Sequence, residues 1–119
     1  MTLKDKALEN LEAGQWLLDR GRPNAAASRL YYSMYQAAVH RLTVKGVTPG
    51  QRRSGAVRWD HSMVENNSGF LRNSFEDRML YREMRNMRTT ADYKTDSVSA
   101  PRLRVLRAAI ADYVKEVTA

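Results

Sequence analysis

The chain has 119 residues, a length that fits one domain spanning 1–119. Apolar residues make up 43% and charged residues 28%, which is typical of a globular protein and excludes a disordered or fibrous one. No apolar run approaches the roughly 18 residues of a transmembrane helix, and the N-terminus lacks a signal-peptide core, so we expect a cytoplasmic protein with no membrane partner. The absence of cysteine excludes disulfide bonds and thiol catalysis.

Basic residues outnumber acidic ones, 20 to 13, which gives a formal net charge of +7. Fifteen of the basic residues are Arg, and the surplus lies mainly in the middle and the C-terminal half of the chain. The planar guanidinium group binds phosphate and carboxylate through paired hydrogen bonds, so this composition favours a partner that bears phosphate or acidic groups. The alternative is a solvated basic surface without a specific partner.

Apolar residues recur at helical spacing in the first part of the chain. This spacing predicts a helix over about 2–20, capped by Thr2, and a second helix over about 23–45 that starts with Pro23. The predicted inner stripe of the first helix is Leu3, Ala7, Leu11, Gly14 and Leu18. That of the second is Ala27, Tyr31, Met34, Ala38 and Leu42, and its other side carries Arg29, Tyr32, Gln36 and His40.

The rest of the chain predicts a loop and three more helices. Gly, Pro and Ser residues indicate a loop over 46–57, whose role the sequence leaves open, followed by a short helix over 58–66. Ser74 is the expected cap of a helix over about 75–91, and Ser99 that of a last helix. Their predicted inner faces are Leu80, Met84, Met87 and Ala91, and then Leu103, Leu106, Ile110, Tyr113 or Val114, and Val117. We therefore predict an all-α fold, an up-and-down four-helix bundle with an extra short helix.

A row of arginines marks the helix over 75–91 as the best candidate for a binding surface. Arg78, Arg82, Arg85 and Arg88 follow one another at intervals of four, three and three residues, so they lie along one side. They indicate an anion-binding groove in which Arg85 and Arg88 face a neighbouring helix or a second subunit. The alternative is simple pairing with nearby acidic residues, which contributes only about 0.2–0.5 kcal/mol per exposed pair.

Polar residues at the C-terminal end of this helix indicate a hydrogen-bonded network. Arg85 or Arg88 is expected to pair with Asp92, with the Tyr93 hydroxyl nearby. The candidate catalytic residues are Arg85, Asn86, Asp92 and Tyr93, and the candidate ligand-binding residues are Arg29, Tyr32, Arg82 and Arg88. Two histidines on different elements and no cysteine give no reason to expect a metal or another cofactor.

Two blocks of sequence resemble the HEPN domain, the "higher eukaryotes and prokaryotes nucleotide-binding" helical fold. The run Ala25–Ala38, with Ser-Arg-Leu-Tyr-Tyr at its centre, resembles the second-helix signature of that family. Arg88-Thr-Thr-Ala-Asp-Tyr93 resembles the end of the fourth helix in small stand-alone members, and the whole resemblance covers about 3–117. It implies a helical bundle that forms a homodimer, binds RNA or nucleotide, and acts with a minimal nucleotidyltransferase as a toxin–antitoxin pair.

Many HEPN proteins are also metal-independent ribonucleases with an Arg-x4-6-His motif, often written with Asn after the Arg. Arg85 and Asn86 match its start, but the window after Arg85 holds Thr90, Ala91 and Asp92, and the window after Arg88 has no His either. Three hypotheses follow: a binding protein of the toxin–antitoxin type, a ribonuclease with a non-standard catalytic group, or a purely structural bundle. In the second, the group is Asp92 or Tyr93, or else His40 or His61 brought in from another helix.

Overall fold

The computed structural model describes residues 1–49, 59–69, 71–72 and 74–119. These ranges contain α1 (Leu3–Asp19), α2 (Pro23–Val44), α3 (His61–Ser68), α4 (Phe75–Tyr93) and α5 (Ala100–Val117). They contain no strand, which confirms the predicted all-α helical bundle. None of the helices in these ranges has both the length and the apolarity needed to cross a membrane. Of the predicted loop over 46–57, residues 46–49 are described, and 50–57 lie outside the described residues.

Side-chain caps account for where α1, α3, α4 and α5 begin, whereas α2 begins at Pro23 without one. Thr2 and Asp5 form the capping box at the start of α1, and Ser74 and Ser99 cap α4 and α5 as predicted. The short helix predicted over 58–66 differs from the one found: position 58 lies outside the described residues, Trp59 and Asp60 are not helical, and α3 ends at Ser68. Asp60 accepts a hydrogen bond from the backbone N–H of Met63 at 2.8 Å, so α3 begins at His61. α4 runs two residues beyond the predicted 91, to Tyr93.

α1 and α2 form a close helical hairpin that provides much of the core. A methyl group at Gly14 would come within 2.6 Å of Leu30 Cγ, so glycine is what lets the two helices approach here. The predicted stripes of both helices are buried, except that Leu3 in the first turn of α1 is exposed. On α5, Tyr113 and Val114 are both buried.

The inner face of α4 differs from the prediction. Tyr81 and Met84 are fully buried, whereas Leu80, Met87 and Ala91 are only partly buried against the core. α4 packs mainly against α2 and much less against α5, so the residues aimed at α2 are the ones enclosed. Leu80 instead lines a groove that remains open between α4 and α5.

Ion pairs fix the direction of α5 against α4. Near the start of α4, Arg72 binds the buried Asp77 at 2.6 and 2.8 Å and also pairs with Asp112 on α5. Further along, Arg102 at the start of α5 binds Glu83 at 2.7 and 2.8 Å. The two helices are therefore antiparallel, with the open groove between these contacts.

Candidate functional site

Arg88 on α4 is held in place by a carboxylate and two tyrosines. Its Nε donates to Asp92 Oδ2 at 3.0 Å, and its Nη2 donates to the hydroxyls of Tyr32 and Tyr93 at 2.8 and 3.2 Å. Its guanidinium carbon lies 5.3 Å from the centre of the Tyr32 ring and 5.1 Å from that of Tyr93, distances that suit cation–π attraction. The predicted contact between Arg88, Asp92 and Tyr93 is therefore present, with Tyr32 as a fourth member.

Glu65 on α3 is a buried carboxylate shared by two arginines of α4. Arg82 Nε and Arg85 Nη1 each lie 3.4 Å from one of its oxygens. Both distances are longer than the usual 2.7–2.9 Å, roughly, of a charge-assisted hydrogen bond. One negative charge thus faces two positive charges through long contacts, and both guanidinium groups keep part of their surface in water.

His61 enters the same region from the start of α3. Its Nδ1 lies 2.5 Å from the hydroxyl of Tyr31, a fully buried residue of α2. The hydroxyl of Tyr81 on α4 donates in turn to that of Tyr31 at 3.3 Å. Burial raises the pKa of Tyr31 to about 12, so its hydroxyl keeps its proton at neutral pH. Because a hydroxyl both donates and accepts, the contact with Nδ1 persists in either protonation state of the imidazole.

The surroundings of His61 lower the pKa of its imidazole and so favour the neutral form. Partial burial lowers its pKa most, and the positive charges of Arg88 and Arg85 lower it further, while Asp60 opposes them. The ring centres of His61 and Tyr32 lie 6.3 Å apart, and Tyr32 accepts a hydrogen bond from Arg88, so His61 lies on the Arg88 side of the bundle. No His follows Arg85 or Arg88 at the spacing of the Arg-x4-6-His motif, but the structure places the imidazole of His61 near these arginines from another helix.

Two predicted site residues lie elsewhere. Asn86 follows Arg85 directly, but one residue rotates the chain by about 100° around a helix, and Asn86 lines the groove between α4 and α5. Arg29 donates to Asn10 on α1 at 3.2 Å and lines a separate groove beside Trp16. Within the part of the chain that the structure describes, neither side chain forms a hydrogen bond with the group around Arg88.

Tyr31 and Glu65 are the members of this cluster that the sequence did not single out, whereas His61 was one of the two histidines named as a group that another helix could supply. Tyr31 falls on the inner stripe of α2 and therefore looks like a core residue, although its hydroxyl needs a polar partner inside the protein. His61 follows the capping residue Asp60, which is a local signal for a side chain at a helix start. Among the described residues, no group of three or more His, Asp or Glu side chains lies where it could hold a metal ion.

Part of the sequence is similar to UPF0332 protein PH1297 of Pyrococcus horikoshii. The similarity is 38% identity over 63 residues, which is 53% of this chain and 43% of that protein. The match thus spans less than half the length of this curated relative. No known family profile matches the chain. No solved structure matches it.

The lowered pKa of His61 gives a direct test of the arrangement. In a titration followed by NMR, we expect the imidazole signals of His61 to report a pKa below 6.5, and Arg88→Gln to raise it because one nearby positive charge is removed. The free energy of unfolding is expected to fall as the pH drops through this range, because the unfolded chain then binds a proton that the folded one does not.

Arg104→Gln, which removes the same charge from the exposed side of α5, is the control and should leave the pKa of His61 in place. An unchanged pKa in Arg88→Gln, or an equal rise in both variants, would contradict the placement of His61 beside Arg88.

Proposed function

We propose that this chain is a HEPN-like protein of the toxin–antitoxin type that forms a homodimer and binds RNA or nucleotide through the arginines of α4. The proposal is supported by the two resembling blocks of sequence and by the local similarity to a protein of UPF0332, a HEPN-like family. The observation that carries it is a cluster in which Arg88 contacts Tyr32 and Tyr93, and the His61 ring lies 6.3 Å from that of Tyr32. Arg85 contacts Glu65, which lies on the same helix as His61.

The contacts of Glu65 explain how a phosphate would be accepted. A phosphate group that approaches Arg82 and Arg85 replaces contacts of 3.4 Å with shorter charge-assisted hydrogen bonds. Arg88, three residues beyond Arg85 on α4, is already oriented by Asp92 and Tyr32. A phosphate that also reaches Arg88 therefore meets a guanidinium that loses little further side-chain entropy on binding.

The aromatic rings favour a nucleotide over a simple anion. Tyr93 leaves 72% of its surface in water while its hydroxyl and ring contact Arg88. An exposed ring beside a guanidinium is the combination on which unpaired bases stack while their phosphates are neutralised. We therefore take single-stranded RNA, or a nucleotide, as the ligand class.

A second candidate function, metal-independent cleavage of RNA, is favoured by the position of His61. In this reaction the RNA 2′-hydroxyl attacks the adjacent phosphorus, its proton passes to Nε2 of His61, and the bond to the 5′-oxygen breaks. The proton on His61 then goes to the departing 5′-oxygen, which leaves a 2′,3′-cyclic phosphate. Arg85 stabilises the charge on the phosphate, and the Tyr31 hydroxyl at Nδ1 orients the imidazole.

The variant Arg85→Gln tests whether Arg85 contributes to RNA binding. We expect it to weaken binding of a single-stranded RNA oligonucleotide about tenfold, since a hydrogen bond to a charged group contributes about 1.5 kcal/mol. The dependence of affinity on salt should also become shallower. Fluorescence anisotropy at several salt concentrations measures both, with Arg104→Gln as the control of equal charge.

Equal losses in the two variants would indicate unspecific attraction to a basic surface. A lower melting temperature in Arg85→Gln with unchanged RNA affinity would support the purely structural alternative, in which the arginines serve only to pair with Glu65 and Asp92.

The nucleotidyltransferase-like partner is tested by reconstitution. We expect a minimal nucleotidyltransferase encoded beside this chain to co-elute with it in size-exclusion chromatography, and to protect a host that is harmed by this chain alone. A neighbouring gene of another class, or separate elution of the two purified proteins, would contradict the toxin–antitoxin assignment without affecting RNA binding.

For cleavage, His61→Gln should lower the rate by about 100-fold or more, the contribution typical of a proton-transfer group, and leave RNA affinity unchanged. The rate of the unaltered protein should rise with pH through the lowered pKa of His61, because the neutral imidazole is the acceptor. The assay follows formation of the cyclic phosphate in EDTA, and His40→Gln is the matched control. Equal rates in both variants, or no cleavage by the unaltered protein, would eliminate this candidate and leave the binding function standing.

A further inference from the structure

A groove with a volume of about 590 Å³ lies between α4 and α5 and shares Arg82 with the proposed site. Its apolar lining residues are Phe75, Met79, Leu80, Leu106 and Ala109. Its charged lining residues include Glu76, Arg82, Glu83 and Arg102. Most of this groove lies on a different side of α4 from Arg88, and Arg82 stands at the border between the two.

Large apolar side chains surround this groove without being covered. Phe75 and Met79, which line the groove, are 71% and 41% exposed. Val105, which directly precedes the lining residue Leu106 on α5, is 70% exposed. Single exposed apolar residues are ordinary on a protein surface, but a set that flanks an apolar groove marks a surface for association. The acidic Glu76 precedes Met79 by three residues, and the basic Arg82 follows it by three residues.

We propose that the groove binds a second copy of this chain, with the two α4 helices antiparallel and a twofold axis at Met79. This inference rests on the homodimer in the proposed function and names its surface. A twofold axis perpendicular to the helix brings each residue opposite the one equally far on the other side of Met79. Glu76 of each copy therefore meets Arg82 of the other, and the pair occurs twice.

The present contacts of these two residues leave them able to pair across the axis. Glu76 accepts a hydrogen bond from Ser74 Oγ at 3.2 Å, and Arg82 has its 3.4 Å contact with Glu65, which Arg85 also shares. Neither contact is a short ion pair. Exchange of the long Arg82 contact for a shorter one across the axis is therefore favourable.

Phe75 supplies the apolar part of the same interface. In the antiparallel arrangement it reaches the level of Glu83 on the other copy, where Arg102 forms its pair with that carboxylate. The ring then covers apolar groove wall and lies beside a guanidinium, a favourable cation–π position. Arg102 pairs with Glu83 within each copy, so Glu83 does not repel the Glu76 of the other copy strongly. Glu76 is then free to pair with Arg82 of the other copy.

Charge reversal tests this surface, with the mass measured by sedimentation equilibrium. We expect the unaltered chain to be a dimer, and Glu76→Arg and Arg82→Glu each to weaken dimerisation about 100-fold, because like charges then face each other twice. The double variant Glu76→Arg/Arg82→Glu should restore the dimer, because it exchanges the charges without losing the pair. Lys6→Glu on α1 is the control of equal charge change and should remain dimeric.

Met79→Glu provides a second test, since it places two carboxylates at the axis and should give a folded monomer by circular dichroism. If the unaltered chain is dimeric while Met79→Glu also stays dimeric, or the double reversal fails to restore association, the groove is not the interface but the homodimer stands. A monomeric unaltered chain overturns both. RNA affinity of Met79→Glu is measured separately, so failure of RNA binding is distinguishable from failure of this inference.

Discussion

The hydroxyl of Tyr31 is the constraint on which the arrangement of the cluster depends. The residue is fully buried in the bundle, and a buried polar group without a partner costs about 1–3 kcal/mol. It meets this requirement through His61 on α3 and Tyr81 on α4, so one hydroxyl links three helices. Together with the burial of Val64 in the core, this hydrogen bond holds α3 against the bundle, so that His61 and Glu65 lie near the arginines of α4.

The parts of the cluster that the sequence predicted are those within one turn of helix. Arg88, Asp92 and Tyr93 are four and five residues apart, so the geometry of α4 alone brings them together. The helical faces of α1 and α2 were predictable for the same reason, because a period of 3.6 residues determines which side chains point inward.

The parts that the sequence did not predict depend on contacts between helices. Glu65 lies 17 and 20 residues from Arg82 and Arg85, and Tyr31 lies 30 from His61, so no local pattern relates them. Asn86 shows the converse problem, because it is next to Arg85 in the sequence but lies on another side of α4. The resemblance joined it to Arg85 because the two are adjacent in sequence, while adjacent residues of a helix point about 100° apart. α4 consequently presents different chemistry on different sides: a core contact, an arginine cluster and an apolar groove.

The shared carboxylate of Glu65 bears on what the proposed phosphate contact requires. Glu65 faces both Arg82 and Arg85, and Asp92 pairs with Arg88, so three guanidinium groups face two carboxylates. In the proposed function, a phosphate of the RNA gains short hydrogen bonds only where it comes close enough to Arg82 and Arg85 to replace their long contacts with Glu65. Under that proposal, binding at this surface depends on how closely a phosphate can approach, as well as on the formal charge of +7 that the chain carries.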